Sequence, residues 1–312
     1  MNKRIQNLRK ISLDAIPVIS SERALLITEY YQKYAVNQSS VALRRAEAFR
    51  HLLMHKEIYI HELEIIVGER GPAPKATPTY PEISLHSLDD LHILDNREKV
   101  SFKVDQATFE TYKNKIIPFW KGQTQRDKLF ASMSDNWIRA YQAGVFTEFQ
   151  EQRAPGHTVA GKRLFKMGLL DVIEEIKQVK QSNASKGFDQ SQWEELEAMQ
   201  LTAEAMIAYA KRHVEALEIQ LHHTTDPIRK TELEGMIGVC KRVPAFAPQT
   251  FHEMLQHYWF IHVGIISELN PWDSFNPGRL DQHLWPFYQQ ELAAGTLSRD
   301  RAKELLQAFW IK

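Results

Sequence analysis

"TFHEMLQHYWFIHVGII", Thr250 to Ile266, is the stretch whose reading decides the fold. Thr250 is a capping residue, and the residues after it read as one helix. The apolar part, Tyr258 to Ile266, is the longest apolar run in the chain. It falls far short of the ~20 residues that cross a bilayer, so it belongs to a soluble protein. The same stretch holds His252, Glu253 and His257. Zinc proteases set two histidines at i and i+4, on one helix face; here the spacing is i and i+5, which turns them apart. They read as polar helix positions and not as a metal pair.

The helical pattern extends in both directions from this stretch. Ile27, Tyr30, Tyr31 and Tyr34 share a face after the Ser20–Ser21 cap signal, and Ala42, Ala46, Phe49 and Leu53 repeat the spacing. "QTQRDKLFASMSDNWIRAY" and "KRLFKMGLLDVIEEIKQVK" are amphipathic, and a long helix is expected from about Gln192 to His222. Asp226 with Pro227 makes an N-cap and first-turn pair, and Ser298 caps "RDRAKELLQAFWIK". "EIYIHELEIIVGE", ending in a turn after Gly68, reads as a short helix or a short strand. The Pro- and Gly-rich run from Gly68 to Ile83 excludes regular helix and reads as an ordered loop on the body. With no internal repeat, the fold class is mainly α with a few short strands.

Lys+Arg and Asp+Glu both number 39, so the formal net charge is zero and no global field favours nucleic acid or an anionic membrane. The single cysteine, Cys240, rules out an intrachain disulfide framework; beside Ile237 and Val239 it reads as a small buried thiol. The basic N-terminus lacks the apolar core of a signal peptide, which leads to the expectation of a cytoplasmic protein.

Gly156 to Lys162 spells G-x-x-x-x-G-K, but Arg163 stands where a phosphate loop needs the magnesium-binding hydroxyl, and no apolar strand precedes it. Two turns hold more chemistry. "FQEQRAPGHT" puts Phe149, Glu151, Arg153 and His157 in or beside a Pro-Gly loop. A loop histidine is either an exposed side chain or a proton donor and acceptor near neutral pH. "ELNPWDSFNPGRLDQH" alternates Glu268, Asp273, Arg279 and Asp281 with Trp272 and Phe275. Carboxylates interleaved with aromatics suit a walled polar pocket, and equally an ordinary capping loop.

At these turns the chain resembles a family. "FTEFQEQRAPGHT", "PTYPEI" and "ELNPWDSFNPGRLDQHLWPFY" are similar to the N-terminal part of glycyl radical enzymes, the pyruvate formate-lyase-like group. "ERALLITEYY", "LEIIVGE", "IIPFWK" and "RDRAKELLQAFWIK" fall in the family's order, so the resemblance covers essentially the whole chain. Within the family it is to the branch that dehydrates trans-4-hydroxy-L-proline to 1-pyrroline-5-carboxylate. The resemblance implies a ten-stranded α/β-barrel wrapped in helices. It implies a glycyl radical near the C-terminus that generates a thiyl radical on a mid-chain cysteine, and a radical S-adenosylmethionine activase as partner, with a homodimer also expected. Carried over by residue, His157 and Asp273 lie near the departing hydroxyl as the catalytic pair, and Phe149 and Trp272 line the substrate pocket.

The departures matter as much. The family's Gly-Cys-Val-Glu loop and its Arg-Val-x-Gly-Tyr radical loop are absent, and Cys240 lies in a different context, "GVCKRVPAF". The expectation is a single N-terminal portion, residues 1–312, truncated, with an incomplete barrel and no radical carrier, inactive alone. No bound cofactor or metal is expected. The competing readings are another glycyl radical lyase or decarboxylase, a formate acetyltransferase-like enzyme, and a non-catalytic helical fragment that binds a partner.

Overall fold

The computed structural model of the protein describes residues 2–34, 39–146, 161–183, 187–269 and 277–312. In chain order the elements are α1 (Lys3–Asp14), β1 (Val18–Ser20), α2 (Glu22–Tyr34), α3 (Val41–His55), β2 (Ala76–Pro78), α4 (Leu88–Asn96) and α5 (Gln106–Thr111). A π turn, Tyr112–Ile116, joins α5 to α6 (Ile117–Trp120), and α7 (Gln125–Ser132) and α8 (Asp135–Gln142) come next. After a 3-10 turn, Gly161–Phe165, come α9 (Leu169–Asn183), α10 (Gln190–His223), α11 (Pro227–Arg242), α12 (Phe251–Glu268), α13 (Leu280–Ala294) and α14 (Arg299–Ile311). The caps read from the sequence hold: Thr250 and Glu253 close a capping box on α12, the Asp226 side chain accepts from the Ile228 N–H with Pro227 in the first turn of α11, and Ser298 caps α14.

α12 is buried on nearly every side, including Phe251, Leu255, Tyr258, Phe260, Val263 and Ile266. A helix apolar all round must sit inside other elements. α10, α11, α13 and α14 pack about it, and together with α1 and α3 they form the larger core. A smaller core gathers Ile27, Tyr30, Leu52, Tyr112 and Trp120 from α2, the other face of α3, and the α5–α6 segment. Among the described residues the two strands pair in parallel, Val18 opposite Ala76 and Ser20 opposite Pro78.

The segment 57–69 is neither the helix nor the strand its pattern allows. Ile65, Ile66 and Val67 are fully buried, yet they lie in irregular backbone. Buried backbone polar groups need partners, and α12 supplies them from one stripe. His252 Nε2 bonds the Ile65 carbonyl at 2.7 Å, the Gln256 amide donates to the Val67 carbonyl at 2.7 Å and accepts from its N–H at 2.8 Å, and Trp259 Nε1 donates to the Gly68 carbonyl at 2.8 Å. These positions recur at i, i+4 and i+7. The polar residues of α12 thus replace a neighbouring strand.

One further expectation changes. "QTQRDKLFASMSDNWIRAY" breaks at Met133, whose extended backbone ends α7 before Ser134 starts α8, and neither helix has a fully buried residue. His252 and His257 are polar positions on a helix, and burial pushes both imidazoles down to about 4. The i, i+5 spacing does separate them, since His252 reaches Ile65 while His257 lines a cavity.

His262 is likewise pushed down to about 4 by burial, and His213 to about 3. Below the ordinary histidine value of 6.5 the unfolded chain takes up protons that the folded chain refuses. Stability contributed by these neutral rings is therefore present above pH about 6.5 and lost as pH falls towards 4. Urea unfolding at pH 7 and at pH 5 should show a smaller loss in His252→Gln than in the parent chain; equal losses would refute the assignment. Two glycines give opposite expectations. A Cβ on Gly168 would lie 2.3 Å from the Ala245 carbonyl oxygen, whereas one on Gly235, exposed in α11, meets nothing. Gly168→Ala should cost ~1–3 kcal/mol by overpacking, and Gly235→Ala should add ~0.5–1 kcal/mol through helix propensity, both read by denaturant unfolding.

Candidate active site

Phe149, His157, Trp272 and Asp273 all lie outside the described residues, as do Glu151 and Arg153. The structure describes the frame from which the two segments that carry them, 147–160 and 270–276, depart and to which they return.

Segment 270–276 departs from the C-terminal end of α12. The last carbonyls of a helix have no partner within it, and here three of them find one. Ile265 accepts from the Leu269 N–H at 2.8 Å, Ile266 from the Tyr80 hydroxyl, and Ser267 from Arg23 Nε at 2.6 Å. Arg23 is buried at the start of α2. Its guanidinium also donates to the Thr79 carbonyl at 3.1 Å and to both oxygens of Glu82, at 3.1 and 2.5 Å, and it lies 3.8 Å from the centre of the Tyr80 ring. Burial works against its charge, yet Glu82 and Glu268 hold its pKa above the usual value.

The same hexapeptide, "PTYPEI", also steadies the approach to segment 147–160. The Glu82 and Ile83 carbonyls accept from the Gln125 and Arg126 N–H groups, at 2.9 and 3.0 Å, in the first turn of α7. α7 leads through α8 to residue 146. On the far side, the 3-10 turn buries Leu164 and Phe165. Phe165 stacks on His283 with centroids 3.9 Å apart and planes 14° from parallel. Phe165 follows the first segment by five residues and His283 the second by seven, so the elements after the two segments pack together here.

Described residues from the return of the first segment and from the end of α12 line one cavity of about 870 Å³. Leu164, Met167 and Gly168 line it from the first side, and His257 and Glu268 of α12 with Leu269 just after it from the other. Phe49, Met206 and Ile261 make the wall between them apolar. A second cavity, about 620 Å³, holds Tyr31, Arg45, Glu82 and Lys128, and Glu268 forms part of its lining as well. Glu268 accepts two bonds from Arg45, at 2.8 and 2.5 Å. Burial raises the Glu268 pKa and Arg45 opposes the rise. Such a frame can hold a small molecule against an apolar wall with a carboxylate and a neutral imidazole at its edge.

Among the described residues no group of three His, Cys, Asp or Glu side chains is placed to hold a metal. Cys240 is buried in α11, and burial pushes its thiol up, out of the range of a reactive thiolate. Sequence reasoning quoted the stretches around Arg23 and Glu82 but assigned them no role. An arginine in "SERALL" reads as a surface helix residue, and only its partners, 56 to 244 positions away, show otherwise.

The pyruvate formate lyase-like family profile matches residues 1–312. The chain is 43% identical over 99% of its length to trans-4-hydroxy-L-proline dehydratase of Clostridioides difficile, covering 39% of that protein. It is 30% identical to an isethionate sulfite-lyase of Nitratidesulfovibrio vulgaris, over 95% of this chain and 37% of the relative. The crystal structure of the C. difficile hydroxyproline dehydratase with trans-4-hydroxy-L-proline bound superposes with a TM-score of 0.93 at 42% identity, over 100% of this chain and 40% of that one. The B12-independent glycerol dehydratase of Clostridium butyricum gives 0.92 at 29% identity, over 100% and 39%. The chain thus spans about two-fifths of the length of these relatives. Its helices and its short parallel strand pair are those of the matching part of these enzymes, and the chain belongs to the pyruvate formate-lyase-like family of glycyl radical enzymes.

Proposed function

We propose that this chain is the N-terminal portion, residues 1–312, of a glycyl radical lyase that dehydrates trans-4-hydroxy-L-proline to 1-pyrroline-5-carboxylate. The observation that carries the reading is the 43% identity along 99% of the chain to trans-4-hydroxy-L-proline dehydratase. Described residues close in sequence to the two segments that carry the candidate residues, Leu164 after the first and Leu269 before the second, line one cavity of about 870 Å³, which is in keeping with the reading.

The catalytic roles fall to His157 and Asp273. As the C–O bond breaks, the departing hydroxide needs one proton to leave as water, and a histidine paired with a carboxylate can deliver it. Phe149 and Trp272 are the proposed walls of the pocket. The radical that the full-length family carries supplies hydrogen abstraction from the substrate. Nothing in this chain's described residues fits the thiyl carrier, since Cys240 is buried inside a helix and its thiol is held protonated. The cysteine loop and the radical glycine are expected in the part of the relatives that this chain does not span, with a radical S-adenosylmethionine activase as partner. A homodimer and a cytoplasmic location complete the reading; among the described residues no helix is long and apolar enough to cross a membrane. The relative at 30% identity favours a second reading, C–S bond cleavage of a sulfonate, over the alternatives outside the lyases.

Two measurements test this. Incubated without oxygen with activase and S-adenosylmethionine, the chain alone should show no glycyl radical doublet by electron paramagnetic resonance; a doublet would refute the assignment of the missing radical site. In an enzyme completed with the portion the relatives carry beyond this span, His157→Gln and Asp273→Asn should each slow turnover of 4-hydroxyproline ~10²–10⁴-fold. The double variant should lose far less than the product of the two. Turnover of isethionate but not of 4-hydroxyproline would hand the case to the second reading.

A further inference from the structure

We infer that His51 and His55, one turn apart in the last part of α3, form a binding site for a late first-row divalent metal ion, of the class of Zn2+, Ni2+ or Cu2+. The site goes beyond the proposed function and does not depend on it. It stands wholly on described residues.

Residues four apart share one side of a helix, so histidines at i and i+4 can close on a single ion. The two rings already meet: their centroids lie 4.2 Å apart and their planes 33° from parallel. His55 Nδ1 donates to the His51 carbonyl at 2.7 Å. That bond fixes the tautomer and leaves Nε2 as the nitrogen with the lone pair, which is how a backbone carbonyl commonly orients a metal-binding histidine. His55 is exposed, and its Nε2 is open to a ligand. His51 is half-buried, and its Nε2 is shielded from solvent with no hydrogen-bond partner among the described residues. A shielded polar atom costs free energy until something satisfies it. An ion held between the two rings would satisfy it, and the exposed His55 ring is the one that can swing to admit the ion.

The end of the helix accounts for only part of this arrangement. A histidine in a last turn favours the free carbonyls there, which explains the His55 bond but not the unpaired nitrogen of His51. The surroundings set the class of ion. The Tyr30 ring lies 5.9 Å from that of His51, and its hydroxyl donates to Glu47, one turn before His51, so this carboxylate is engaged. Among the described residues no third His, Cys, Asp or Glu completes a group of three, so water takes the remaining positions around the ion. Burial, and then the neighbouring His55, hold the His51 pKa below the usual histidine value, while Glu29 and Lys33 of α2 act on it with opposite signs. A neutral ring is the form that binds a metal. Two imidazoles without a carboxylate suit Zn2+, Ni2+ or Cu2+, whereas Ca2+ and Mg2+ take oxygen ligands.

The test uses the full chain, freed of metal by a chelator and titrated with Zn2+ by calorimetry. The parent should bind one ion that is lost in His55→Gln and in His51→Gln. The double variant should lose no more than either single one, because both rings hold the same ion. Mg2+ in place of Zn2+ should give no binding. With Cu2+ as the probe, electron paramagnetic resonance should show coupling to two ring nitrogens in the parent and to one in each single variant. His223→Gln, which alters the neighbouring pair His222 and His223 at the end of α10, should leave zinc binding unchanged. If His51→Gln fails to fold, His55→Gln, at an exposed position, still decides. Zinc binding that survives His55→Gln, or that is lost in His223→Gln instead, would overturn the inference, and so would a parent chain that binds no zinc.

Discussion

The described fold depends on the polar stripe of α12. A helix that is apolar on nearly every side could pack in many rotations about its axis, because hydrophobic contact is not directional. His252, Gln256 and Trp259 remove that freedom by binding the Ile65, Val67 and Gly68 backbone in one register. Each bond adds only ~0.5–1.5 kcal/mol net. Losing one would leave a buried backbone group unpaired, which costs more, and that asymmetry makes the register strict. The fully buried run Ile65–Val67 depends on it, since irregular backbone is tolerated in a core only where something else satisfies it.

The end of the same helix carries the constraint to the candidate active site. Arg23 and Tyr80 close the last carbonyls, the "PTYPEI" backbone closes the first turn of α7, and Phe165 of the 3-10 turn stacks on His283 of α13. A rigid scaffold that presents variable segments is how folds host different chemistries. The matched relatives fit this pattern: a hydroxyproline dehydratase, a glycerol dehydratase and an isethionate sulfite-lyase share this portion of the chain.

Much of this was legible in the sequence, for physical reasons that can be named. Helix caps are local: Thr250 with Glu253, and Asp226 with Pro227, act within four residues, so their reading needed no tertiary information. The long α10 announced itself by periodicity, and the burial of Cys240 by its apolar neighbours. The family was legible because its turns are themselves unusual strings, "RAPGHT" and "ELNPWD", which no generic helix or loop pattern produces. The same strings named His157, Asp273, Phe149 and Trp272, as a carry-over by position and not from contacts.

The sequence by itself determined the helical class, the caps, the near absence of strand and the membership of the family, because each rests on short-range pattern or on motif. Only the tertiary structure decided that segment 57–69 is irregular backbone with Ile65–Val67 buried in it, that burial holds the His252 and His257 rings neutral, and that Arg23 is the cap of a helix that begins 228 positions after it. Those outcomes depend on which backbone groups and which side chains meet across the core. A glutamine or an arginine carries no local mark of whether water or a distant carbonyl will take its hydrogen bonds, so their roles appear only once the chain is folded.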